Sequence, residues 1–142
     1  MQQETQEVFH HILPVQIRFN DIDGFGHVNN ATFQEYFDLG RVDYFKKAFG
    51  GRLFTKELAM LIASIKTDFL TPVHLHDQVE VRTKVFELGN KSLKMLQHVV
   101  DIKNNQVKAV CLSVMVCFRT DDNGAEVIPQ AWRDKFKEME TL

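Results

Sequence analysis

Between Asn30 and Phe49 apolar residues recur at helical spacing on a broad face, and beyond Gly51 the hydrophobic period changes to two. No other feature of the chain narrows its fold as far. Phe33, Tyr36, Phe37, Gly40, Tyr44 and Ala48 trace one stripe of a helix over 30–49, and Leu39, Val42, Phe45 and Phe49 widen it. A helix apolar around so much of its circumference has to be largely enclosed by the rest of the chain. Gly50-Gly51 stops it. The segments that follow supply the enclosure: 59–70, 77–88, 92–102 and 107–120 read as four strands. The second is the clearest, alternating Val79, Val81, Thr83 and Val85 with Gln78, Glu80, Arg82 and Lys84. Turns are expected at Gly89-Asn90-Lys91, at 103–106 and at 121–124. Ahead of the helix, Leu13, Val15, Ile17 and Phe19 alternate with Pro14, Gln16 and Arg18, which predicts a strand over 13–19 with Pro14 at its start or on an edge. A short terminal helix over 129–139 has Pro129 in its first turn. The expected fold class is α+β, an antiparallel meander wrapped around one long central helix, in a single domain over 1–142.

A chain of 142 residues can bury a sizeable core without disulfides. Its net charge of -2 gives no reason to expect nucleic acid or an anionic membrane as partner. The polar, slightly acidic start has no basic and apolar run of the signal-peptide kind, and no apolar stretch approaches a membrane span. Cys111 and Cys117 lie in one extended run, where about 3.3 Å per residue separates them by roughly 20 Å, too far to bridge. Two buried thiols in a reducing cytoplasm are the expectation.

The densest set of reactive groups falls at the strand-to-helix junction, Asn20-Asp21-Ile22-Asp23-Gly24-Phe25-Gly26-His27-Val28-Asn29-Asn30. Such a junction sets carboxylates near the free N–H groups of a helix start. Gly24 and Gly26 allow the loop to turn and a ligand to approach its backbone. Asn29 and Asn30 are natural N-cap residues.

That run with Arg18 and Phe19 before it, followed by Tyr36 and Arg41 and by Phe69-Leu70-Thr71-Pro72-Val73 to Asp77, resembles the hot-dog-fold acyl-CoA thioesterases, in their 4-hydroxybenzoyl-CoA thioesterase-like branch. The resemblance covers most of the chain. Gly24 departs from it, standing where many relatives carry Pro or Ala. The His-Phe-Pro-Gly motif of related dehydratases is not found. What the resemblance implies is hydrolysis of an acyl-CoA thioester to free acid and CoA. Asp23 falls at the family's catalytic carboxylate, and the Asn30 backbone N–H falls at its oxyanion donor. Gly26, His27, Val28 and Asn29 are then the expected substrate contacts. The family also implies homodimers, often paired into homotetramers, with sites at the dimer interface. No cofactor or metal is called for, because CoA is part of the substrate and a thioester carbonyl is electrophilic enough for water or a carboxylate to attack.

Other residues rank lower. Asp21 is expected to be structural, in an Asx-turn or paired with Arg18. His27 divides between orienting substrate and packing the loop. Glu35 and Asp38 are minor candidates for the base. His74 and His76 share a face of an extended segment but lack a third ligand nearby in sequence. Lys66, Lys91 and Lys94 are in reach of CoA phosphates in principle, although solvated strand faces explain them as well. Two rivals stay open at this level: an acyl-ACP thioesterase, and a non-hydrolytic protein that binds acyl thioesters in the same groove.

Overall fold

The computed structural model describes residues 7–50 and 55–141, so Gly51 of the expected helix stop lies outside the described residues. Among these, five strands and two helices follow in the order β1 (His11–Val15), α1 (Asn30–Ala48), β2 (Leu58–Phe69), β3 (Val79–Leu88), β4 (Ser92–Asp101), β5 (Gln106–Arg119) and α2 (Gln130–Met139). All strand pairs are antiparallel, in the spatial order β1-β3-β4-β5-β2. The meander is therefore β3-β4-β5. The strand after α1 does not pair with its successor β3 but crosses to the far side of β5, leaving β1 and β2 as the two edges.

Most element ends fall within two residues of expectation. The first strand differs: it begins earlier, at His11, and stops at Val15, where its register with Val79 of β3 runs out. Beyond it, the Asp21 carboxylate accepts the Arg18 N–H at 2.9 Å and draws Phe19–Asp21 into a 3-10 turn. Phe19, expected on the inner face, is consequently turned out, 79% exposed.

α1 packs on β3, β1 and β4. Its buried face divides the core into two apolar clusters. One gathers Phe33, Tyr36 and Phe37 with Val81 and Val99; the other gathers Tyr44, Phe45 and Ala48 with Leu93, Met95 and Phe136. Along α1, β3 and β4 alike, a polar layer lies between them. Gln97, fully buried, donates from Nε2 to the Phe37 carbonyl at 2.9 Å and to Thr83 Oγ1 at 3.0 Å. Its Oε1 accepts from Arg41 Nη1 at 2.8 Å, and Arg41 also pairs with Asp38 at the surface. Each buried polar group of this layer thus finds a partner, which burial at low dielectric requires. Gly40 lets helix and sheet close over it: a Cβ there would stand 2.7 Å from Val81 Cγ1, 2.8 Å from Gln97 Nε2 and 2.9 Å from Thr83 Oγ1.

α2 is clamped from its C-terminal end. Glu140 Oε2 accepts from Tyr44 Oη at 2.6 Å and from the Val85 N–H at 3.0 Å, beside a β3 irregularity between Val85 and Glu87. Burial and the Glu140 carboxylate push the Tyr44 hydroxyl far above its usual range. Cys111 and Cys117 are both free and buried. Among the described residues no helix is long and apolar enough to cross a membrane.

Candidate active site

α1 begins where the reactive loop ends. Asn29 caps it, its Oδ1 accepting the Ala31 N–H at 2.8 Å, while its carbonyl accepts those of Thr32 at 2.9 Å and Phe33 at 3.2 Å. The N–H of Asn30, the first residue of the helix, has no hydrogen-bond partner among the described residues. The first turn carries no acidic side chain, so nothing in the helix itself neutralises its positive end. Lys46 and Lys47 sit at the opposite, negative end.

The loop is a small hairpin closed by an Ile22–Val28 bridge. The Asp23 N–H donates to the His27 carbonyl at 2.9 Å, and the Gly26 N–H returns to the Asp23 carbonyl at 3.0 Å. Gly26 has φ +85, a left-handed conformation that favours glycine. Gly24 has no such requirement, and a Cβ there would meet open space, so only the second glycine is needed for the turn. Asp23 Oδ1 accepts the Phe25 N–H at 2.9 Å, which orients a half-buried carboxylate at the base of the hairpin. Phe25 at its tip is 86% exposed.

Asp21, two residues away, has a different environment. It is 2% exposed and accepts the Arg18 N–H at 2.9 Å, Arg18 Nη2 at 3.1 Å and Tyr36 Oη at 2.6 Å. Burial alone would raise its carboxyl. The hydrogen bonds from Tyr36 and from Arg18 together outweigh burial and hold it below its ordinary value. Asp21 is a structural anchor, as its expected pairing with Arg18 implied, and its carbonyl also accepts the Asn29 N–H at 2.9 Å.

A cavity of about 180 Å³ opens beside the helix start, lined by His27, Val28, Asn30 and Phe33 on one side and by residues 69–72 on the other. Of the expected site residues, His27, Val28 and Asn30 line it. Gly26, Asn29 and Asp23 do not: the first two serve the turn and the cap, and the Asp23 carboxylate stands outside the cavity wall formed by one chain. Val28 also belongs to the core, and its N–H donates to the Val73 carbonyl at 2.8 Å, tying the loop to the segment before β3. His27 meets the ring of His74 edge-on, with centroids 5.1 Å apart, and the His74 N–H donates to Asp77 Oδ2 at 2.8 Å. Nothing in the sequence signals that contact, because the two imidazoles are far apart along the chain. Thr71 is visible in sequence only as part of the family-like run; it lines the cavity with a buried hydroxyl that has no partner among the described residues. Glu35 and Asp38 lie on the outer face of α1, where Asp38 pairs with Arg41. Among the described residues no three His, Cys, Asp or Glu side chains form a group able to hold a metal ion.

Comparison with known proteins bears on this arrangement. Residues 17–136 match the thioesterase-like superfamily. A thioesterase from Thermus thermophilus, solved in complex with coenzyme A and Zn, is 31% identical with a TM-score of 0.83, over 96% of this chain and 98% of its own. The uncharacterized protein YsmA of Bacillus subtilis strain 168 is 32% identical over 93 residues, which are 66% of this chain and 63% of that protein. The long-chain acyl-CoA thioesterase FadM of Escherichia coli K12 is 24% identical over 126 residues, 88% of this chain and 96% of its own.

Proposed function

The chain belongs to the thioesterase-like superfamily, and on that premise we propose that it hydrolyses an acyl-CoA thioester to the free carboxylic acid and coenzyme A. The observation that carries the reading is the unpartnered Asn30 N–H at the uncompensated positive end of α1, in the wall of a cavity next to the Asp23 loop. Attack on a thioester carbonyl puts negative charge on its oxygen. A fixed N–H at a helix start stabilises that charge without reorganising. In this reading Asp23 takes a proton from the attacking water, or attacks the carbonyl itself to give a mixed anhydride that water then opens. Either way the C–S bond breaks and CoA leaves as its thiol. His27 and Val28 contact the acyl thioester, while Gly26 and Asn29 hold the loop and the cap that aim the Asn30 N–H. The carrier is CoA, in keeping with the coenzyme A bound to the Thermus thioesterase.

The edge strand supports a proposed assembly of two or more copies. β2 exposes Leu61, Ile62, Ile65 and Phe69, each more than 40% accessible, on a strand whose outer edge has no partner among the described residues. Such an edge invites pairing with another chain. We place a second copy there, as a homodimer able to pair into a homotetramer. Asp23 would then act on a thioester whose cavity is completed across the interface.

Two variants test the chemistry. Proline at position 30 deletes the proposed donor at little cost to the fold. The first helical position tolerates proline, and Asn29 already has the extended backbone (φ -62, ψ 141) that a following proline requires. Asn30→Pro should fold with a near-native Tm and lose roughly 10²–10³ in kcat, the usual effect of removing an oxyanion donor. Asp23→Asn should lose about 10² or more in thiol release from acyl-CoA. Full activity in Asp23→Asn and Asp23→Ala would remove Asp23 from the mechanism. Tight CoA binding without turnover of any thioester would favour a binding module instead.

A further inference from the structure

Because α1 packs on β3, β1 and β4, a seam is left between it and the edge strand β2. The two elements run in opposite directions there: Phe33 meets Phe69 with ring centroids 5.5 Å apart, and Phe45 lies opposite Met60. Two cavities occupy the seam. The first is the 180 Å³ space beside Asn30. The second, about 250 Å³, lies two to four turns further along α1, with Val42 and Phe45 of the helix facing Met60, Ile62 and Met115 of the sheet and the Asp38–Arg41 pair at its near end.

A hydrogen bond crosses the seam between them. Gln34 Nε2 donates to Thr67 Oγ1 at 3.0 Å, joining helix to edge strand across the seam. Gln34 Oε1 is buried there without a partner among the described residues. An alkyl chain threading past this point would have to displace the hydrogen bond and still leave a carbonyl oxygen unsatisfied against methylenes, which is unfavourable for a buried polar group. Helix rise puts Gln34 about 6 Å beyond Asn30 along the axis. An extended chain advances roughly 1.2 Å per bond, so about five bonds carry it from the Asn30 N–H to the bridge.

We infer that the Gln34–Thr67 bridge is an acyl-length gate. It confines the acyl group to the cavity beside Asn30 and closes off the apolar slot beyond, so the protein acts on short-chain acyl-CoA. The inference rests on the thioester hydrolysis proposed above. It adds two specificity-determining residues outside the catalytic loop and a dormant site for a long alkyl chain, where Met60 and Met115 offer flexible, polarizable walls.

The test is kcat/KM over butanoyl-, hexanoyl-, octanoyl-, dodecanoyl- and hexadecanoyl-CoA for the full-length protein, Thr67→Val and Gln34→Leu. Thr67→Val keeps the side-chain shape and suits a strand, whereas Gln34→Leu suits a helix; both break the bridge. The wild type should favour hexanoyl- over dodecanoyl-CoA by about tenfold or more, and each variant should raise the dodecanoyl-to-hexanoyl ratio by about tenfold, within the range that single apolar contacts discriminate. A wild type that prefers dodecanoyl-CoA, or variants that keep the wild-type profile while turning over substrate, would overturn the gate alone. Absence of turnover at every chain length in the wild type would overturn the parent reading and the gate with it.

Discussion

At the scale of single residues, surroundings rather than residue type divide the work of the loop. Asp21 and Asp23 are chemically identical and two positions apart. Asp21 commits its carboxylate to Arg18 and Tyr36 inside the protein, and Asp23 keeps a half-buried carboxylate with one loop N–H on it. A second buried group behaves like Asp21 in reverse. His11, 4% exposed, pairs through Nε2 with Asp43 Oδ2 at 2.8 Å, and its Nδ1 is buried without a partner among the described residues. A proton added to that ring would carry an unsatisfied donor inside the protein. Burial lowers the pKa of His11 below 6.5, against the pull of Asp43. The signs of the two linkages follow. For His11 the unfolded chain binds the proton more readily, so its contribution is complete above pH 6.5 and is lost as pH falls through the lower, folded value. For Asp21 the contribution is complete above 3.8 and is lost as pH falls through its depressed folded value. Tm measured against pH should therefore fall in two stages on acidification. His11→Gln should flatten the first and Asp21→Asn the second; a Tm that stays level from about pH 7 to 5 in the wild type would contradict the His11 assignment.

At the scale of elements, α1 is fixed by one glycine and one polar layer. Glycine inside a helix ordinarily weakens it by about 1 kcal/mol relative to alanine. Here the missing Cβ leaves room for Val81, Gln97 and Thr83, all under 3.0 Å from where it would stand. Gly40→Ala should therefore destabilise the protein by about 1–3 kcal/mol, despite the gain in helix propensity, as overpacked cores do. Urea unfolding would measure it, and a more stable variant would show that helix and sheet can separate without loss. The periodicity of α1 and β3 was legible because burial on one face imposes it directly. The end of the first strand was not: Ile17 and Phe19 continue the alternation, and the chain leaves the sheet because Asp21 captures the Arg18 N–H. A side chain reaching back three residues leaves no mark in hydrophobic pattern.

At the scale of the whole molecule, the apolar outer strand matters most. Leu61, Ile62, Ile65 and Phe69 on β2, with Leu39 and Val42 on α1, expose more apolar side chain than scattered surface residues explain. A charge on that strand should block edge-to-edge pairing. Ile65→Lys should sediment as a monomer where the wild type sediments as a dimer, and its thioesterase activity should fall with assembly because the proposed site is shared. A wild type that is monomeric at micromolar concentration would rule the interface out.

By itself the sequence determined the elements, the α+β class and the contiguous loop ahead of α1 on which the proposed chemistry rests, since burial period and turn residues are local. Only the tertiary structure decided the strand order, with β2 carried past β5 to the edge. It alone also decided that Tyr36 joins Arg18 on the buried Asp21 carboxylate, that His74 stands against His27, and that Gln34 and Thr67 meet across the seam. The Asp21–Tyr36 and Gln34–Thr67 contacts join residues 15 and 33 positions apart, on elements whose pairing is chosen by packing of the assembled core. No window along the chain carries that information.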